Sequence, residues 1–175
     1  MVVALVLGGA QCVYNDIAAA QAMFKPDIIV AVKDIGITWP HVDYWATLHP
    51  ERLPKELKQR RDAGLPDPKA IYSYRMRVPS GLGIEIRVLD TPGGSSGMLG
   101  TQAALLVADK AVLVGIPLDP KQVHYCRPKK GGWPPANMYR KVWTEAHPKL
   151  KDRVRSVSGW TRDLLGAPTK EWLES

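Results

Sequence analysis

Apolar runs alternate with helix-period patterns along the first part of the chain. Residues 2–7 form a continuous apolar run that ends at Gly8 and Gly9, which is typical of a strand buried on both faces. Residues 13–24 then place apolar side chains at helical spacing, and residues 27–33 form a second apolar run. Strand, glycine turn, helix and strand within about 32 residues have the size of a βαβ unit with its right-handed crossover.

The alternation of strands and helices continues as far as residue 118. The pattern predicts a short strand from Tyr44 to Leu48, a polar helix closed by Gly64, two strands around the turn PSGLG, a helix after a Gly-Ser run and a strand over residues 110–118. Such alternation is typical of helices that cover both faces of a sheet. We therefore predict an α/β fold, a three-layer Rossmann-like sandwich with a mainly parallel sheet.

The C-terminal part is less regular. Residues 119–137 contain four prolines and two adjacent glycines, which predicts a loop-rich region. Residues 138–147 have a helical pattern, DRVRSVSG is predicted as an edge strand, and WTRDLLG as a short helix. A chain of 175 residues is long enough for one well-cored domain. We expect residues 1–175 to form a single domain, with this strand-helix extension packed on its core.

Charge and composition limit the partners and the location. The net charge of +7 suits a partner with phosphate groups, such as a nucleotide, a nucleic acid or an anionic lipid surface, although scattered basic residues are more often a solvated face. The apolar runs are far shorter than the roughly 20 residues of a membrane-spanning helix, and the first residues lack the pattern of a signal peptide. We expect no membrane span and a cytoplasmic location.

The residues that bind metals are not spaced as metal ligands. Cys12 and Cys126 lie far apart, so we expect two free thiols and no catalytic role for either. His, Cys, Asp and Glu form no cluster with the spacing of a zinc site, and we expect no metal ligands. Mg²⁺ carried by the phosphates of a nucleotide donor stays open as a cofactor.

Two glycine-containing loops follow predicted strands and lead into predicted helices. One begins at Gly8, and the other is the run that contains Gly94, Ser95, Ser96 and Gly97. In a parallel α/β sheet, ligands bind beyond the carboxyl ends of the strands, where helix N-termini favour anions. We interpret the second loop as a phosphate or carboxylate cradle; the alternative is a serine N-cap in a tight turn. The G-x-G-x-x-G and P-loop spacings are absent, which disfavours NAD enzymes and ATPases.

The segment GGSSGMLGTQAALLVADKAVLVGIPLD, followed by His124 and Tyr125, resembles a known core. It is similar to the Ser-Gly helix and following strand of bacterial sialyltransferase-like Rossmann folds, and to pterin-diphosphokinase-like and flagellin-modification proteins that share this core. Over the whole length, GGSSG and VRSVSGWTRDLLGAP resemble uncharacterised phage-encoded proteins, for which the location would be the host cytoplasm. These families imply a nucleotide-binding site at the carboxyl edge of the sheet.

The resemblance also implies roles for single residues. His124 would be the general base, a role suited to a histidine because its ordinary pKa is close to working pH. His49, which follows another predicted strand, is a second catalytic candidate, with Asp43 as an alternative to it. Where the related transferases usually have asparagine, this chain has Lys33 and Asp34. The residues predicted to contact nucleotide or phosphate are Gly8, Gly9, Gln11, Lys33, Asp34, Gly94, Ser95, Ser96 and Gly97.

Three classes of function stay open from the sequence. The chain could transfer a glycosyl or diphosphate group from a nucleotide-activated donor, or bind a nucleotide or nucleotide sugar without turnover. It could also be a non-catalytic phage-associated module that binds nucleic acid or a virion. The six tryptophans fit either a stacking platform for bases or simple packing of the C-terminal region onto the sheet.

Overall fold

The computed structural model describes residues 1–74, 79–90, 95–127 and 132–175. Strands and helices alternate along these ranges. In chain order they are β1 (Val3–Leu7), α1 (Val13–Met23), β2 (Ile28–Val32), α2 (Ile35–Thr38), β3 (Tyr44–Thr47), a 3-10 turn (Pro50–Arg52), α3 (Leu53–Asp62), β4 (Ala70–Ser73), β5 (Glu85–Val88), α4 (Ser96–Val107), β6 (Lys110–Val114), α5 (Ala136–Leu150), β7 (Val154–Ser156), α6 (Gly159–Leu165) and α7 (Lys170–Glu174). None of the helices described is long and apolar enough to cross a membrane.

The strands of the described chain form one sheet in the order β5-β4-β3-β2-β1-β6-β7, and all pairs are parallel. In β1, Leu5 lies between Ile29 of β2 and Val112 of β6. All residues of β1 and β6 are buried, because helices cover both faces of the sheet. This architecture confirms the predicted Rossmann-like α/β sandwich with a parallel sheet.

Two apolar cores lie on opposite faces of the sheet. Ala4 and Val6 of β1 face one core, to which α4 and α5 contribute, and Leu5 and Leu7 face the other, to which α1 and α3 contribute. The chain therefore leaves β1 toward one face and β6 toward the other. A parallel sheet binds ligands at such a switch point, beyond the carboxyl ends of the strands.

Two strand predictions are refined by the structure. β4 and β5, which flank the turn PSGLG, pair in parallel, with Ile71 opposite Ile86. The strand predicted over residues 110–118 ends at Val114. It ends there because Gly115 has φ +65° and donates its N–H to the Asp16 carboxylate at 2.9 Å instead of continuing the sheet.

The C-terminal extension contributes to the sheet and to the core on one of its faces. β7 pairs with β6 as an edge strand, with Val154 opposite Ala111. Val154 and Leu165 are buried in the core that α4 and α5 cover, and Trp160 packs against it. Trp143 of α5 is fully buried, as the packing alternative for the C-terminal region expects, and Trp45 of β3 is fully buried as well.

Helix α4 lies unusually close to the sheet at Gly100. A Cβ atom there would be 2.4 Å from Val32 Cγ2 and 3.3 Å from Val6 Cγ1. Alanine is the better helix former by about 1 kcal/mol. We nevertheless expect Gly100→Ala to lower the free energy of unfolding by about 1–3 kcal/mol, because the helix must move off the sheet. Urea unfolding followed by circular dichroism measures this change.

The matched control is Leu106→Ala in the same helix. Leu106 is 63% exposed, so its truncation should change the free energy of unfolding by no more than about 0.5 kcal/mol. A Gly100→Ala protein as stable as wild type would contradict the close helix-sheet packing.

Candidate functional site

A cavity of about 600 Å³ opens at the carboxyl edge of the sheet, where the chain leaves β1 and β6 in opposite directions. The loops after β1, β2, β3 and β6 and the first turn of α4 border it. The sequence-predicted site residues in its wall are Gly8, Gly9, Lys33, Asp34, His49, Ser95, Ser96, Gly97 and His124. Gln11 is not in that wall, and Gly94 lies outside the described residues. The fold thus brings most of the predicted site residues into one place.

Close packing explains the two glycines after β1. A Cβ atom at Gly8 would lie 2.3 Å from the carbonyl oxygen of Gly115. A Cβ atom at Gly9 would lie 2.6 Å from Nε2 of His124. These glycines therefore let the end of β6 and the His124 ring approach the loop, which is a structural reason for them beside the predicted nucleotide contact.

A short antiparallel bridge between Ala10 and His124 holds the loop after β6 against the loop after β1. The N–H of Gln11 donates to the Val123 carbonyl at 2.8 Å, and the N–H of Tyr125 donates to the Gly9 carbonyl at 3.0 Å. Gln11 thus acts through its backbone in positioning His124. The bridge places the His124 ring in the cavity wall, although the sequence predicts this region as loop.

The first turn of α4 forms another part of the wall. Ser95 is the N-cap, and its Oγ accepts the N–H of Met98 and the indole N–H of Trp143, both at 3.3 Å. The N–H groups of Ser96 and Gly97 have no acceptor within the helix because they belong to its first turn. The structure thus shows the serine N-cap, and the phosphate or carboxylate cradle stays a prediction that these N–H groups leave open.

Three basic side chains border the cavity, and the sequence singled out one of them. Lys33 is that one; Arg52 and Arg127 are the others. Burial lowers the pKa of the Lys33 ammonium group. The acidic groups in the same wall are Asp34 and Asp119. Arg127 pairs with Asp34, which leaves the charge of Asp119 as the negative charge of the wall. The two positive charges of Lys33 and Arg52 exceed it.

Backbone strain is concentrated in the cavity wall. Lys33 has φ +58° and Leu118 has φ +45°, and within the described ranges these are the non-glycine residues in the left-handed region. The Lys33 conformation is held in place because its carbonyl accepts the indole N–H of Trp45 at 2.8 Å and its N–H donates to Ala46. Strained residues of this kind collect at functional sites.

Asp34 is the centre of an ion cluster on the cavity wall. Its Oδ2 lies 3.3 Å from Nε2 of His124, and its Oδ1 accepts a hydrogen bond from the Arg127 guanidinium. The hydrogen bond from His124 holds the pKa of Asp34 well below its usual range, and Arg127 adds to this effect against the opposing effect of burial. Asp34 is therefore an anion at neutral pH. The sequence suggested neither the contact with His124 nor that with Arg127.

The two candidate histidines differ in which nitrogens are free. In His124, Nε2 donates to Asp34, while Nδ1 lies 3.3 Å from both the N–H and the Sγ of Cys126. In His49, Nδ1 lies 3.2 Å from Glu51, and Nε2 has no partner among the described residues. Because the Glu51 carboxylate can only accept a hydrogen bond, the proton lies on Nδ1 and Nε2 is the acceptor nitrogen of His49, a residue that borders the cavity. Of the two, His49 is better placed to accept a proton from a bound molecule.

Several other residues at this site carry no clear signal in the sequence. Arg127 belongs to the basic segment RPKKGGW, a pattern more often typical of a solvated face, and the sequence predicts no catalytic role for Cys126. Trp133 borders the cavity, is 41% exposed, and stacks on Tyr139 with ring centroids 5.4 Å apart. The tryptophans among basic residues in the C-terminal part are the sequence feature that points to Trp133 and Tyr139. That feature does not show which of the tryptophans are exposed.

Three metal-ligating side chains come together across the fold. One ligand atom each of Asp34, His124 and Cys126 lies within 4.8 Å of the others. The sequence spacing predicted no metal ligands, because Asp34 is 90 residues from His124 along the chain. In the same cluster, Arg127 pairs with Asp34, and its charge opposes the binding of a cation there.

The chain has three basic segments, KELKQRR, KLKDRVR and RPKKGGW, and arginines of the first two hold the fold together. Arg60 is fully buried and donates to the carbonyls of Gly36, Trp39, Pro40 and Pro66. Arg153 donates to the carbonyls of Leu105, Ala108 and Asp109. The third segment, RPKKGGW, lies partly outside the described residues. Some of the basic residues therefore stabilise the fold and do not form a charged binding surface.

No protein-family model, curated protein or solved structure matches this chain. The chemistry of the cavity therefore has to be inferred from its own residues. The resemblance to sialyltransferase-like, pterin-diphosphokinase-like and phage-encoded proteins stays an expectation from the sequence.

The ion cluster makes a contribution to stability that depends on pH. Because the pKa of Asp34 is lowered in the folded state, its stabilisation is present above about pH 4, the ordinary carboxyl pKa, and is lost as pH falls through the folded pKa. We expect Asp34→Asn to lower the free energy of unfolding by about 1–2 kcal/mol at neutral pH. The effect is no larger because the Arg127 side chain is half exposed, and solvent screens its ion pair with Asp34. The difference from wild type should shrink below about pH 4. Urea unfolding at several pH values measures it.

The same chemical change at Asp62 is the control. Asp62 forms an exposed pair with Lys58 one helical turn away, which contributes about 0.5 kcal/mol or less. A difference between wild type and Asp34→Asn that stays constant down to pH 2 would contradict a lowered pKa for Asp34.

Proposed function

We propose that the cavity binds a small molecule with a phosphate group, of the nucleotide or nucleotide-sugar class. The observation that carries the proposal is the meeting of three anion-favouring features in one cavity. These are the N–H groups of Ser96 and Gly97, which have no acceptor within α4, the Lys33 ammonium, and Arg52. The phosphate would accept from the two N–H groups, with the basic side chains balancing its charge.

The size and lining of the cavity support a ligand larger than inorganic phosphate. Its volume of about 600 Å³ falls within the range of small-molecule sites. Trp133, which is partly exposed and stacks on Tyr139, borders the same space. A planar base could stack on this ring while the phosphate reaches α4, because stacking on aromatic side chains is how proteins commonly hold bases.

Group transfer is the activity that the side chains support best. His49 would accept the proton of an acceptor hydroxyl through Nε2, with Glu51 holding Nδ1. A glycosyl or diphosphate group would pass from the nucleotide donor to that oxygen. Mg²⁺, if required, would be carried by the donor phosphates. The arginines that bond to backbone carbonyls weaken the alternative of a nucleic-acid or virion-binding module.

Binding is tested by thermal shift and titration calorimetry with CMP, UDP, GDP, ATP and their sugar conjugates. A ligand that binds only the folded state raises the melting temperature. We expect one nucleotide family to do so, and Lys33→Gln to weaken its affinity roughly tenfold or more, since a charged contact to phosphate is lost. The matched control is Lys58→Gln, an exposed lysine on α3 that should leave affinity unchanged.

Two results would overturn the proposal. One is the absence of any stabilisation by millimolar nucleotides in a folded protein. The other is salt-sensitive retention of DNA or RNA without nucleotide binding, which would favour the nucleic-acid module.

Turnover is tested separately with the conjugate of the nucleotide that binds. We expect His49→Gln to lower nucleotide release from a nucleotide sugar roughly a hundredfold or more while nucleotide affinity stays unchanged, because His49 acts on the acceptor proton. The control is His41→Gln, an exposed histidine beside Asp43 and outside the cavity wall. Equal rates in the two variants would exclude His49 as the general base.

A further inference from the structure

Cys126, His124 and Asp34 form a chain of contacts beside the cavity. The Sγ of Cys126 lies 3.3 Å from Nδ1 of His124, and Nε2 of the same ring lies 3.3 Å from Oδ2 of Asp34. The carboxylate requires the proton on Nε2, and the N–H of Cys126 points to Nδ1 at 3.3 Å. Nδ1 is therefore the acceptor nitrogen, and it faces the thiol.

The fold holds each member of this chain in position. The bridge to Ala10 fixes the backbone of His124, and the ring of Tyr125 stacks on the imidazole with centroids 5.1 Å apart. Asp34 is held by the Arg127 guanidinium through its other oxygen. Cys126 is exposed, so its sulfur is accessible from solvent.

We propose that Cys126 is a nucleophile for acyl transfer, with His124 as its general base and Asp34 as the residue that orients the base. A nucleophile within reach of a base that is itself held by a third group is the arrangement that activates cysteine and serine in unrelated enzymes. The substrate class is an activated acyl ester. This assignment gives His124 a role that does not depend on the phosphate cavity.

The acyl-transfer step balances with these groups alone. The thiol proton moves to Nδ1 of His124 as the sulfur attacks the carbonyl carbon. The carbon-sulfur bond forms, the bond between that carbon and the ester oxygen breaks, and the leaving group departs with the electron pair. Asp34 stabilises the imidazolium until it returns its proton to the leaving group or to solvent. Arg127 follows Cys126 in the chain and pairs with Asp34, so its guanidinium adds positive charge to the site at which the oxyanion would develop.

The second cysteine of the chain is an internal control. The Cys12 sulfur donates to Asp16 and contacts the Ser158 hydroxyl at 3.5 Å, and it has no histidine partner among the described residues. Burial raises the pKa of the Cys12 thiol to about 11. Cys12 therefore stays a thiol at neutral pH and should be inert toward acyl donors.

The test uses the full chain with p-nitrophenyl acetate at neutral pH. We expect a burst of about one equivalent of nitrophenolate per chain, with the acetyl group found on Cys126 and not on Cys12 by peptide mass spectrometry. Cys126→Ser should remove the burst, and His124→Gln should slow it roughly a hundredfold. Asp34→Asn should also slow it, because the ring loses its orientation. The matched control, His41→Gln, should react like wild type.

A second variant keeps the test informative if His124→Gln does not fold. In Gly9→Ala the new Cβ atom meets Nε2 of His124 at 2.6 Å, so the ring must leave its place and the burst should slow. A burst that His124→Gln and Gly9→Ala leave unchanged, or an acetyl group on Cys12, would overturn the proposal. So would a thiol that reacts only after treatment with EDTA, since Asp34, His124 and Cys126 would then be metal ligands.

The acyl donor carries no phosphate, so this outcome is independent of the proposed function. A protein that binds nucleotides but shows no burst contradicts the thiol proposal alone. A burst in a protein that binds no nucleotide supports the thiol proposal and contradicts the nucleotide site.

Discussion

The site exists because the chain must cover both faces of a buried parallel sheet. Apolar side chains alternate along β1, with Leu5 and Leu7 on one face and Ala4 and Val6 on the other, and each set needs its own helices. The chain therefore leaves β1 toward α1 and leaves β6 toward α5, on opposite faces. This divergence opens the carboxyl ends of two neighbouring strands, and most of the candidate site residues lie around that opening.

A charged group in that opening has to be paired. Asp34 follows β2 and is neutralised by His124 and Arg127 from the loop after β6, which brings that loop across the end of β1. The loop approaches closely because Gly9 has no side chain to exclude the imidazole. One carboxylate and one glycine thus position both the wall of the cavity and the thiol beside it.

The two proposed activities use different atoms of one wall. Phosphate binding depends on the first turn of α4 and on Lys33, whereas thiol chemistry depends on Nδ1 of His124 and on the exposed sulfur of Cys126. His124 contributes little to the cavity itself because both of its nitrogens contact protein groups. The strained backbone at Lys33 and Leu118 lies on the cavity side, which is consistent with a site built for a ligand.

The sequence by itself determined the α/β class, the order of the elements and the strand ends where side chains collect, because these follow from local periodicity and from glycine and proline positions. Ser95, Lys33, His49 and His124, which the sequence singles out as strand-end or helix-start residues, border the cavity for the same reason. Only the tertiary structure decided which side chains meet. The pairing of Asp34 with His124 and Arg127, the contact of His124 with Cys126, and the burial of Arg60 depend on the lateral order of the strands and on the packing of loops. Neither of these leaves a periodic signal in the sequence.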